Sequence, residues 1–260
     1  MIRRKILIFS FLNSLFLFSY FYFASQFYFF LILLQLLFLF VGTGWIFSWR
    51  LKFWEYLILP LLPSFLTLLF IFNLFWLPSR GFLVLLGGGK EKFIFFFFLL
   101  TFLNYFLFLL LNILNVATVR IVPLKKAALN LLLFSSFWLV FQGWGLLFQL
   151  INWGNPGLER GQFFYGLLLI WGIALPFLWF VQEERFRLPW RELLVLGFIL
   201  VQLDLVLLFA PLSSGRRALV LSGTFLVLLN LLGQRLQYRL SRRVLGKHLL
   251  FWFLLILFLL

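Results

Sequence analysis

Between Lys5 and Arg50 the chain runs for 44 residues without a charged side chain. A helix crosses the roughly 30 Å of bilayer hydrocarbon with about 20 apolar residues, so this run is too long for one crossing. It has to fold back on itself, and the polar pair Ser25 and Gln26 near its middle marks the place. The reading is two spans, Ile6 to Ala24 and Phe27 to Phe47. Arg3, Arg4 and Lys5 ahead of an apolar stretch have the layout of a secretory leader, but Tyr22 stands where cleavage after Ala24 would need a small residue. The segment is therefore expected to stay as an anchor.

The rest of the chain repeats the pattern. Hydrophobic residues make up 65% of it and charged ones 11%, against roughly a quarter charged in a soluble domain. Charges, prolines and glycines divide it into six further spans: Leu57 to Leu77, Phe93 to Leu114, Ala127 to Ile151, Phe163 to Val181, Leu193 to Ala210 and Ala218 to Leu236. Pro60 and Pro63 fall in the opening turns of the third span, where a missing N–H costs least. Pro176 lies inside the sixth and is expected to kink it. Asn152 to Gly157 is the strongest turn signal, and Phe82 to Leu86 with Gly87, Gly88 and Gly89 suggests a short hairpin or interfacial flap. The final residues, from Val244 to Leu260, permit two readings: a short ninth span, or a helix lying shallowly in the inner interface. The expected fold is an all-α polytopic transmembrane bundle, a single integral membrane domain over residues 1–260 with no soluble domain.

Lys and Arg accumulate on cytoplasmic flanks. With the N-terminus inside, 16 of the 22 basic residues fall on inner segments and 6 on outer ones, so a cytoplasmic N-terminus in the plasma membrane is expected. The formal net charge of +15 is then a consequence of topology spread over many loops, and nucleic acid is not an expected partner.

Little catalytic chemistry is available. Without Cys there is no disulfide, thiolate metal site or cysteine nucleophile, and a single His rules out bis-histidine haem ligation. Gly87 to Gly89 leads into Lys90 and Glu91 rather than a phosphate-loop ending, and Ser213 and Ser214 lie in no nucleophile elbow. Glu183, Glu184, Arg185 and Arg187 are superficially similar to the glutamate pair and arginine of the CAAX-type intramembrane proteases, but Leu188 occupies the place of that family's arginine. The further histidine motifs are also missing, and these charges read as a solvated loop. No cofactor and no metal are expected, and an intramembrane enzyme ranks third among the functional readings.

Asp204 is the acid deepest in a predicted span, with Gln202 nearby, and an ionisable group at that depth is a candidate proton carrier or counter-charge. Arg216 or Arg217 on the next span is within reach to neutralise it. Asn13, Gln35, Asn73, Asn104, Gln142 and Asn230 also lie in spans. Asp204, Gln202, Asn104, Gln142 and Asn230 are candidates for a substrate path, and interhelical hydrogen bonding is the competing use of the same groups. Arg235, Arg239, Arg242 and Arg243 follow helical spacing. If the eighth span continues as one helix they form a basic stripe suited to anionic inner-leaflet lipids. Small residues are few, so few tight helix contacts are expected, with Leu and Phe facing lipid or the helices of membrane-protein partners. The functional expectation is an anchoring or assembly subunit of an envelope complex; the alternative is a small transporter or lipid-handling protein using Asp204 and the amides.

Overall fold

A hydrocarbon medium offers the backbone no hydrogen-bond partner, which leaves helices and closed barrels as the available spanning structures. In a computed structural model of the chain, residues 2–19, 28–47, 53–75, 90–117, 124–152, 156–182, 188–210, 212–237 and 241–259 are described, and among them all regular structure is helical. Contacts divide the chain into two units, Met1–Pro123 and Leu124–Leu260.

The first unit contains α1 (Ile2–Ser19), α2 (Tyr28–Ile46), α3 (Phe53–Ile58), α4 (Leu61–Phe75) and α5 (Lys90–Val116). Helices α1 and α2 pair antiparallel. Lys5 meets Trp45, Phe9 meets Gly42, and Asn13 meets Gln35, one rung after another. The reversal expected at Ser25 and Gln26 lies outside the described residues. Phe9 is the wedge of this unit. Its ring stacks on Phe38 at 5.0 Å, meets Phe108 of α5 edge-on at 5.5 Å and covers Gly42.

The third expected span is broken. Helix α3 ends at Ile58, Leu59 and Pro60 form a turn, and α4 starts afresh at Leu61 with Pro63 in its first turn. Pro60 has no N–H and its ring crowds the carbonyl four residues back, so it can begin a helix but not continue the one that started upstream at Phe53. Phe53 and Trp54 remain exposed on the short α3. The Phe82 to Gly89 feature lies outside the described residues.

The second unit contains α6 (Lys125–Asn152), α7 (Pro156–Val181), α8 (Trp190–Leu208), α9 (Ser214–Leu236) and α10 (Arg242–Leu259). Pro156 opens α7, where its fixed φ suits a first turn, and the helix runs through Pro176 to Val181. Lys125 and Lys126 belong to the first turn of α6. Helix α9 touches α6, α7, α8 and α10. It is the least apolar of the four longest apolar helices, yet Ser222, Gly223, Thr224 and Gly233 are buried along it. In lipid, protein contact is where small and polar residues are useful.

Helix α9 stops at Leu236, and α10 returns antiparallel beside it. Trp252 Nε1 donates to Thr224 Oγ1 at 2.9 Å, and the Asn230 amide bonds His248 Nε2 at 2.9 Å. The terminal apolar segment thus gains two polar anchors on α9 rather than prolonging it.

Among the described residues, four helical stretches are long and apolar enough to cross a membrane: Phe97–Val116, Lys125–Phe148, Phe164–Val181 and Ser214–Leu236. Several shorter apolar helices accompany them. Helix α8 has the length, but Arg191, Glu192 and Asp204 reduce its apolar character. The chain is all-helical among the described residues and suited to a bilayer.

The expectation of few tight contacts is corrected by the glycines. A Cβ on Gly166 would stand 2.5 Å from the buried Trp144 ring, one on Gly197 would meet Trp171 and Leu167, and one on Gly233 would press on Phe177. Each of these three glycines is a notch for a large side chain from the neighbouring helix, so few small residues suffice. Gly145 faces open space. Gly166→Ala is expected to destabilise by about 1–3 kcal/mol through overpacking against a rigid ring. Gly145→Ala should be neutral or stabilising by up to about 1 kcal/mol through helix propensity. Thermal unfolding of the two variants in the same detergent checks the contrast.

Candidate functional site

Asp204 lies one turn before the end of α8 and is completely buried. Its partner comes from the first turn of α9. Arg217 donates from Nε to Oδ1 at 3.0 Å and from an Nη to the same oxygen at 2.6 Å, with a further contact to the Asp204 carbonyl at 3.3 Å. The guanidinium stacks 4.3 Å over the Phe148 ring of α6. Of the two arginines considered from sequence, Arg217 makes the pair. Asp204 Oδ2 has no hydrogen-bond partner among the described residues. By binding the carboxylate of α8 and stacking on Phe148 of α6, Arg217 ties α6, α8 and α9 together at one end of this unit.

Among the described residues, the other path candidates of this unit make no hydrogen bond to Asp204. Gln202 is two residues from Asp204, hence on the other side of α8, and is exposed. Asn104 belongs to the first unit, fully buried, with neither amide atom bonded among the described residues. Gln142 is half-buried in α6. Asn230 is 13 residues beyond Arg217 on α9, about 20 Å along the helix at 1.5 Å per residue. In the first unit Asn13 donates to Thr67 Oγ1 at 3.3 Å and accepts from Gln35, while the Thr67 hydroxyl donates to the Pro63 carbonyl at 2.8 Å. This buried network joins α1, α2 and α4, which is the interhelical use weighed for such amides. Asn73 has its side chain outside the described residues.

The basic stripe does not form on one helix. Arg235 is in the last turn of α9 and Arg243 in the first turn of α10, both exposed, while Arg239 lies outside the described residues. Arg242 starts α10. The spacing that would align them assumes a continuous helix, and Gln237 caps α9 before the stripe is complete.

A cavity of about 330 Å3 opens where the start of α6 meets the ends of α7 and α9. Lys125, Lys126, Asn130, Asn230, Gln234 and Gln237 supply its polar lining, and Leu129, Leu133, Phe177 and Val181 are apolar residues that line it with them. Asn230 also lines a smaller hollow of about 190 Å3 with Lys247, His248 and Phe251. Gln234 Nε2 donates to Asn230 Oδ1 at 3.3 Å, so the amides form a chain ending at His248. Sequence reasoning picked out Asn230 alone. The overlooked signal is the i, i+4, i+7 spacing of Asn230, Gln234 and Gln237, an amide stripe on one helix face.

Comparison with protein families, with curated proteins and with solved structures gives no match. Functional inference therefore rests on the residues themselves.

Removing one member of a buried pair strands the other. Arg217→Leu is expected to lose about 3–5 kcal/mol of stability, whereas Asp204→Leu combined with Arg217→Leu should recover most of it. Melting temperatures of the two single variants and the double variant, in one detergent, measure the coupling.

Proposed function

We propose that this chain is a non-catalytic, multi-pass membrane subunit that anchors or assembles an envelope complex in the plasma membrane. The observation that carries the reading is where the polar groups of the apolar helices are spent. Asp204 is neutralised by Arg217, and Asn13, Gln35 and Thr67 bond one another, so these groups fix helix neighbours. The surfaces that remain are broad and apolar: Leu194, Val195, Phe198, Leu205 and Val206 project from α8 and suit lipid or the helices of a partner.

The proposed topology has eight spans with a cytoplasmic N-terminus, and α10 as a ninth. Its 18 residues rise about 27 Å as a helix, close to the hydrocarbon thickness. Antiparallel pairing with α9 supports crossing over lying flat. The absence of native Cys makes the test direct. Single cysteines introduced at Gln237 and at Leu260 are expected to label from opposite faces with a membrane-impermeant maleimide; labelling from one face removes the ninth span.

For the subunit reading, extraction in a mild detergent should yield a stable assembly containing other polypeptides by native mass spectrometry. A lone monodisperse monomer, or loss of a cellular phenotype in Asp204→Asn at unchanged abundance, favours the transporter reading instead.

A further inference from the structure

We infer that the cavity between the start of α6 and the ends of α7 and α9 binds the phosphate group of an anionic amphiphile, with Lys125 and Lys126 as the charged contacts. Its lining combines the two chemistries that such a ligand combines. Lysines and amides line it together with Leu133, Phe177 and Val181, which can take the first part of an alkyl stem. The volume of about 330 Å3 lies in the range of small-ligand pockets.

The charge arrangement points the same way. Two adjacent lysines in the first turn of a helix repel each other and stand at the positive end of its dipole, where an anion is preferred. The carbonyl ends of α7 and α9 also approach the cavity and oppose an anion, but each helix terminus counts for about half a charge. Two full lysine charges with the α6 N-terminus outweigh them. The amides of Asn130 and Gln237 add neutral hydrogen-bonding groups at the rim. Because three helix termini meet there, the site lies at one end of the unit, the level at which lipid headgroups are found. This inference does not depend on the subunit reading, since a lipid can occupy a scaffold or a transporter alike.

The test uses the purified full-length chain in detergent, titrated with dioctanoyl phosphatidic acid, dioctanoyl phosphatidylcholine and glycerol 3-phosphate and followed by native mass spectrometry. Phosphatidic acid should bind in preference to phosphatidylcholine. Lys125→Gln with Lys126→Gln should weaken it about 30-fold, the loss expected for two basic groups facing anionic lipid. Leu133→Trp, which fills the cavity and leaves the charge unchanged, should weaken it as well. Arg242→Gln with Arg243→Gln removes the same charge outside the cavity and should leave binding intact. Equal weakening by both charge pairs, or full binding in Leu133→Trp, would overturn the site in favour of diffuse surface attraction. Displacement of the lipid by glycerol 3-phosphate would support the phosphate site and assign it a soluble ligand; failure to displace supports a membrane lipid. Melting temperatures matching the parent chain confirm that each variant is folded.

Discussion

Hydrocarbon supplies no hydrogen bonds, and every level of this structure answers to that fact. Backbone groups must be satisfied within the chain, so its apolar runs become helices. Side-chain polar groups inside those runs gain by finding each other, and several do: Asp204 takes Arg217, Asn13 takes Gln35 and Thr67, and Trp252 takes Thr224. The same medium removes the usual reason for helices to associate, since lipid tails are as apolar as Leu. Association then depends on a small number of specific contacts.

Two kinds of contact supply the specificity. Polar pairs select neighbours because the alternative is an unsatisfied group in hydrocarbon, and each is worth about 0.6–2 kcal/mol. Glycine notches select register. Phe9 over Gly42, Trp144 over Gly166 and Trp171 over Gly197 fit only where a side chain is missing opposite a large ring. Between such positions, a Leu- and Phe-rich surface would tolerate many alignments. Helix α9 combines both devices, which accounts for its place against four neighbours despite being the least apolar of the longest helices.

Much of the fold was legible along the chain, and its failures share a cause. The fold-back of the first uncharged run and the helical character of the later ones follow from length and hydropathy, which are local properties. The pairing of Asp204 with an arginine of the next helix was foreseeable because a buried carboxylate demands a cation within reach. The break at Pro60 was misjudged because a proline is equally at home opening a helix and ending another, and only the helical α3 upstream distinguishes the two. The basic stripe assumed that α9 continues, whereas the anchors Trp252 and His248 draw α10 back against it. The cavity at Lys125 and Lys126 joins segments about a hundred residues apart, and no spacing within either announces it.

Sequence alone determined the medium and the secondary structure: an excess of large apolar side chains and a scarcity of charge leave helices or a closed barrel, and unbroken apolar runs of about 20 residues select helices. Tertiary structure alone decided which helices are neighbours and which polar groups meet. Those outcomes depend on the match between particular notches, rings and hydrogen-bonding groups on different helices, and hydrophobicity, being nearly uniform here, carries no information about them.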